Sequence, residues 1–250
     1  MKHGWIAATM IALALSAMAV AQDDTKVTIQ RTPKAGATAR YKFNVMASAG
    51  GNEVGIEMTF KVETKEIKDN GDVIRTVTYQ SGKLNGMEQE MELPMPTAVT
   101  VTWDKLGRVV KLQHGTDALT VMSPEAEQLV AMAITYLPPE KAVAPDASWQ
   151  YELPNPMLKD AKATIKGVYS GKEKVDDLTV WKIKQTLTAA TDKDGSKLTS
   201  ELVFMVDPAD GSVVRAEGTL KGLPTQYGAV DVTIKATRLK PETEPTPAKQ

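Results

Sequence analysis

The chain has 250 residues, with 30 Lys and Arg against 31 Asp and Glu for a formal charge of −1, and it contains no cysteine. Disulfide scaffolds and thiol chemistry are thereby excluded, and the balance of charge lacks the basic stripe that a nucleic-acid backbone demands. A length of this order can bury a substantial core, as one large β domain or two small ones.

The first 21 residues read as a secretory signal peptide. Lys2 and His3 form a short basic region, Trp5 to Leu15 an apolar one, and Ala19-Val20-Ala21 a small-x-small cleavage pattern before Gln22. The apolar run is shorter than the ~20 residues a spanning helix needs. No cysteine stands at the cleavage point to take a lipid. Cleavage after Ala21 is expected to leave an exported protein, periplasmic or secreted, that does not span the membrane and has lost the charge of Lys2.

Beyond Gln22 the pattern alternates at period two. Tyr41, Phe43 and Val45 share one face of a strand. Ile56, Met58, Phe60 and Val62 alternate with Glu57, Thr59, Lys61 and Glu63. Asn70-Gly71, inside Asp69–Asp72, suits a hairpin turn. Val99, Val101 and Trp103 form the next alternating run, closed by Asp104-Lys105-Leu106-Gly107. Such alternation predicts antiparallel strands with one covered and one wet face.

One stretch breaks the β rhythm. Ser123 can cap a helix, Pro124 fits its first position, and Glu125 and Glu127 favour the positive end of its dipole. Ala126, Leu129, Val130, Ala133 and Leu137 recur at helical spacing before Pro138-Pro139. A single amphipathic helix over 123–137 is predicted, then a Pro-rich connector carrying Trp149 and Tyr151. Turns at Asp192-Lys193-Asp194-Gly195 and Asp207–Gly211 follow, and Val230, Val232, Ile234 and Ala236 alternate near the end. The tail from Lys240 to Gln250, with three prolines, is expected to be disordered.

The flanks of the helix look alike. Val101-Thr102-Trp103-Asp104 and Gly107-Arg108-Val109-Val110 match Phe204-Met205-Val206-Asp207 and Gly211-Ser212-Val213-Val214 at nearly one offset, which favours an internal duplication. The expected division is 1–21 signal peptide, 22–122 first β meander, 123–159 helix and connector, 160–239 second meander and 240–250 tail. The fold class is mainly β: about a dozen strands in two duplicated meanders, strongly curved and antiparallel, with the helix on the concave face.

Several of these stretches carry a resemblance. "Gly-Ala-Thr-Ala-Arg-Tyr" from Gly36, "Asp-Asn-Gly-Asp", "Trp-Asp-Lys-Leu-Gly-Arg-Val-Val" and "Pro-Asp-Ala-Ser-Trp" resemble an uncharacterised family of exported bacterial proteins, a domain of unknown function that is often lipid-anchored. In outline that family is similar to the curved half-barrels of periplasmic lipoprotein carriers, in which a bent sheet wraps a helix. The resemblance implies a fold over about residues 30–239 and no activity. This chain lacks the anchoring cysteine.

Chemistry is sparse. His114 is the one histidine left after leader removal, no G-x-S-x-G elbow exists, and zinc sites built from His and Cys pairs are excluded. Gly167 to Glu173 has a P-loop look with the wrong spacing and reads as a hairpin. Asp192, Asp194 and Glu201 would fall on EF-hand positions, but Ala190 stands at the first. Met87, Met91 and Met95 invite a copper(I) reading; at strand spacing, residues four apart stand about 13 Å apart. No metal and no cofactor is expected, and no enzyme activity.

The expected function is a non-enzymatic envelope protein that holds an apolar or lipid-like ligand between sheet and helix. Phe60, Trp103, Met132, Tyr136 and Trp181 are the candidate lining, or else plain core. The alternative is a structural or adhesion module binding another envelope protein, with a carboxylate-pair hydrolase third.

Overall fold

Alternation of apolar and polar residues builds one twelve-stranded antiparallel sheet that curls without closing. The structure, a computed structural model, describes residues 26–49, 52–86, 89–93, 98–114, 122–226 and 228–241. The expected signal peptide, Met87, Met95 and residues 242–250 of the tail lie outside them. The first series of strands is β1 (Thr38–Ala49), β2 (Asn52–Ile67), β3 (Val73–Gly86), β4 (Gln89–Glu92), β5 (Ala98–Trp103) and β6 (Val109–His114). A helix, α1 (Pro124–Ala133), intervenes. The second series is β7 (Ser148–Pro154), β8 (Lys162–Val175), β9 (Leu178–Ala190), β10 (Lys197–Val206), β11 (Val213–Thr225) and β12 (Gly228–Arg238).

Strand order runs β6-β5-β3-β2-β1-β12-β11-β10-β9-β8-β7, with β4 paired to β3 off that path. The first and last strands therefore meet at the centre, in the register Phe43↔Ala236 and Val45↔Ile234. The two outer strands, β6 and β7, are those that precede and follow the helix. Because side chains alternate, this register carries one apolar face across both series. Ile165, Ile183, Leu187 and Phe204 on that face have no exposed surface, and Val99 and Val101 are nearly as buried. Val180, Met205 and Val214 form a smaller cluster apart from it.

Turn chemistry fixes the hairpins. The β2–β3 loop is closed by Lys68 N–H donating to the Asp72 carbonyl at 2.8 Å, and Gly71 takes φ +87. Of the Asn70-Gly71 pair, only the glycine adopts a positive φ, so the connection is a short loop with a glycine close. Asp104 and Asp192 each accept two following backbone N–H groups, and Asp207 accepts one, the Asx mechanism that makes aspartate a turn residue.

The helix starts as expected. Ser123 Oγ accepts the Ala126 N–H at 3.2 Å, and Pro124 occupies the first turn. It ends at Ala133, four residues short of the expected Leu137. The reason lies on the sheet. Gln185 of β9, 1% exposed, accepts the Leu137 N–H at 2.8 Å and donates to the Thr135 carbonyl at 2.9 Å. A side-chain amide thus supplies the bonds that further helix would have made. The next carbonyls are also taken by side chains: Tyr136 by Arg31 Nη2, Leu137 by Trp149 Nε1 at 2.9 Å, and Pro138 by the Tyr151 hydroxyl at 2.7 Å. Trp149 and Tyr151 do so from β7, a strand inside the stretch expected as connector.

The N-terminal segment completes the cover. Val27 pairs with Val143, Ile29 is 1% exposed, and Thr32 N–H donates to the Asp210 carbonyl at 2.9 Å. Gly211 makes room for it: a Cβ there would stand 2.2 Å from the Gln30 carbonyl oxygen.

Candidate functional site

The concave face divides into a filled part and an open part. In the filled part Met132 of α1, Tyr136 beyond its end, and Trp181 of β9 are all buried in the main core. The Tyr136 ring lies 5.9 Å from Phe204, its hydroxyl donates to the Gly211 carbonyl at 2.6 Å, and the Arg31 guanidinium sits 4.3 Å above it. Burial holds the Tyr136 phenol above its ordinary value. A gap lined by Gly107, Met132, Leu137, Leu153 and Ile165 is too narrow for a water molecule. Beneath the helix the interior is close-packed.

The open part lies on β1, β2 and β3. Register sets Tyr41 opposite Phe60 and Phe60 opposite Tyr79. Tyr41 and Phe60 stack at 5.7 Å, Phe43 meets Phe60 edge-on at 6.3 Å, and Tyr79 meets it edge-on at 6.2 Å. All four rings belong to residues that are only half-buried. The row continues along the same face through Val45, Ile56 and Leu84 to Met91, which is 53% exposed. Although their side chains keep some exposed surface, burial of the hydroxyl end raises the phenols of Tyr41 and Tyr79.

Of the five residues expected to line a cavity, three stand in packed core and Phe60 sits at the centre of the open row. Trp103 lies between: it is half-buried against the core, with the Arg75 guanidinium 5.3 Å from its ring. Sequence reasoning missed Tyr41, Phe43 and Tyr79 as neighbours of Phe60. Tyr41 and Phe43 were legible as inward positions of one strand, but only strand order brings Tyr79 across to them. Arg31 and Arg75 were also missed. Arg75 keeps the inward parity of Val73 and Val77, which is an unusual place for a charge.

The remaining candidates have structural roles. His114, on the outer strand β6, meets Glu127 of the helix at 2.5 Å and ties the sheet edge to its cover. Asp192 spends its carboxylate on the turn, and its hydrogen bonds with Ser196 keep it below the usual carboxylate range. Gly167 to Glu173 is strand β8 with a bulge after Tyr169, and Gly171 takes φ +97. Met91 is on strand β4. Among the described residues no three of His, Asp and Glu group closely enough to hold a metal ion, and no helix is long and apolar enough to cross a membrane.

No protein-family model and no curated protein matches the chain. Solved structures do. A hypothetical lipoprotein, YmcC, from Escherichia coli shares 13% identity over 81% of this chain and 85% of its own, with a TM-score of 0.32. A protein described as exported, with a YmcC-like fold, from Bacteroides fragilis shares 11% over 86% of this chain and all of its own, at 0.31. A domain described as an outer membrane lipoprotein-sorting protein, from Vibrio parahaemolyticus, shares 9% over 86% and 89%, at 0.24. Proteins described as exported or as lipoprotein-sorting are thus among those similar in outline, the kinds of protein that the sequence resemblance named.

Proposed function

We propose that the protein is a non-enzymatic, exported binding protein of the cell envelope and that the open aromatic face of β1–β3, not the space beneath the helix, takes an apolar or lipid-like ligand. One observation carries this reading: four aromatic rings that meet at Phe60 stay half-buried, whereas the part of the face beneath the helix is packed solid. Clustered aromatic surface of this kind is what soluble chains normally bury unless it meets something. Export is supported by the basic, apolar and small-x-small order of residues 1–21.

Titration of the mature chain with a neutral apolar fluorophore, N-phenyl-1-naphthylamine, tests it. Saturable binding is expected, weakened about tenfold by Phe60→Ser, which removes the ring all three others touch. Fluorescence that never saturates, or that Phe60→Ser leaves alone, refutes the reading.

The second reading, docking of another envelope protein, draws on the edge strand β6. Among the described residues it has one strand partner only, and Val110 on it is 54% exposed. Capture of a defined partner that Val110→Lys abolishes would favour it.

A further inference from the structure

The inner end of the aromatic row carries donors without acceptors. Arg75 Nε, Arg31 Nε and Trp103 Nε1 are all buried and none has a hydrogen-bond partner. They are neighbours. The Arg75 guanidinium lies over the Trp103 ring, and Arg31 packs against Gly107, in the turn that follows Trp103, where a Cβ would come within 2.9 Å of its Cζ. Arg31 uses Nη2 on the Tyr136 carbonyl. Burial, and next the nearby charge of Arg31, push Arg75 below the ordinary arginine value. Two like charges and an indole therefore stand close together, each with one buried N–H that lacks a partner.

Neighbouring charges do not resolve this. Asp207 is engaged by Arg238, Nη2 to Oδ2 at 2.8 Å, and Arg238 also donates to Ser212 Oγ. Asp210 lies close enough to act on Arg75 and Tyr41, yet forms no ion pair with either arginine and accepts the Ser212 N–H. Leaving a buried donor without an acceptor is costly, and more so when the group is charged. Such groups call for an explanation, and an acceptor brought by a ligand is one that fits here. The charge says it is an anion, since guanidinium forks match carboxylate and phosphate oxygens.

Position names the ligand class. Strand β3 joins the two features: Arg75 shares its inward parity with Val77 and Tyr79, and Tyr79 meets Phe60, on which Tyr41 stacks. Building on the apolar-ligand reading above, we infer that Arg31, Arg75 and Trp103 form an oxyanion site for the carboxylate or phosphate head of an anionic amphiphile whose chain lies along Tyr41, Phe60, Phe43 and Tyr79. The site binds the head by charge and the tail by apolar contact, and no bond is made or broken.

The test is calorimetric titration of the mature chain with oleic acid, oleyl alcohol and inorganic phosphate, repeated for Arg75→Gln and Trp103→Phe, with folding checked by thermal melting. Oleic acid is expected to bind at least tenfold more tightly than the alcohol. Arg75→Gln should erase that preference, Trp103→Phe reduce it severalfold, and both leave the alcohol unchanged. Acid and alcohol binding equally, with Arg75→Gln silent, overturns the oxyanion site and leaves the apolar-ligand reading standing. Arg75-dependent binding of phosphate, with neither amphiphile bound, keeps the anion site but overturns the amphiphile. No binding by any of the three overturns the inference outright.

Discussion

Gln185→Leu isolates the device that ends the helix. Leucine nearly matches glutamine in volume but offers neither donor nor acceptor, so Leu137 N–H and Thr135 carbonyl lose the partners now at 2.8 and 2.9 Å. Gln185 is 1% exposed, so water cannot replace it without opening the core. Two orphaned buried backbone groups at about 1–3 kcal/mol each give an expected loss of about 3 kcal/mol. For a chain of this length that is a fall of about 10 °C in melting temperature, read by circular dichroism. Gln185→Ala should cost more, because a cavity is added. Gln185→Glu separates the two bonds: an ionised carboxylate still accepts from Leu137 but cannot donate to Thr135, and its charge is buried. Burial raises such a carboxyl, so the Glu variant should regain ground against wild type as the pH falls toward 4 and the acid form can donate. A Gln185→Leu melting point within about 2 °C of wild type would refute the idea that this amide holds the segment.

Two further outcomes follow from local geometry. Gly211→Ala would place a Cβ 2.2 Å from the Gln30 carbonyl oxygen at φ +71; it should cost about 3 kcal/mol and expose residues 26–37 to protease. Gly195→Ala, at φ +100 with open space around it, should cost about 1 kcal/mol and leave that segment protected. Equal losses by chemical denaturation would contradict the account. Asp207 sits below the usual carboxylate range: desolvation opposes ionisation, but hydrogen bonds from Arg238 and the Ala209 N–H outweigh it. A depressed folded value means its contribution is present above the unfolded pKa of about 4 and fades as the pH falls through the folded one. The stability gap between wild type and Asp207→Asn should therefore narrow on acidification below pH 4; a gap that is constant or widens would show that Asp207 contributes no linkage.

Much of the architecture was legible because sheets announce themselves at period two. Tyr41-Phe43-Val45, Ile56 to Val62 and Val230 to Ala236 all lie on one face of the strands they predict. Turns were legible for a related reason: Asp104, Asp192 and Asp207 write their hydrogen bonds into the local sequence. The stop of the helix was not, because the residue that ends it is about fifty positions away on β9. Leu137 kept the helical spacing and is indeed buried, but it gets there on non-helical chain. Nor could parity alone separate half-covered positions from packed core. Phe60 and Trp181 are both inward aromatic residues; what differs is whether cover reaches them, which only strand order decides. The matched hairpins of Gly107 and Gly211 show the same limit: their likeness was visible, their shared contact with the Arg31 region was not.

The open face follows from how little covering material the chain supplies. A ten-residue helix is about 15 Å long, and strands lie about 4.8 Å apart, so the length of α1 matches the width of only about three of twelve strands. The segments 26–37 and 134–147 extend the cover, pinned by side chains of Arg31, Gln185, Trp149 and Tyr151 and by backbone bonds such as Val27 to Val143 and Thr32 to Asp210. Those pins come mostly from the second series of strands, and its inner face is correspondingly well covered, Tyr169, Trp181 and Phe204 included. The inner face of β1–β3 faces no comparable anchor, and there rings and aliphatic side chains alike, Phe43, Phe60, Val45, Ile56 and Leu84 among them, stay half-buried. Apolar surface left wet forgoes about 25 cal/mol per Å². A ligand able to cover those rings would recover that term, and one that brings an anion would also give Arg31 and Arg75 an acceptor, which is why the two features are proposed as one site.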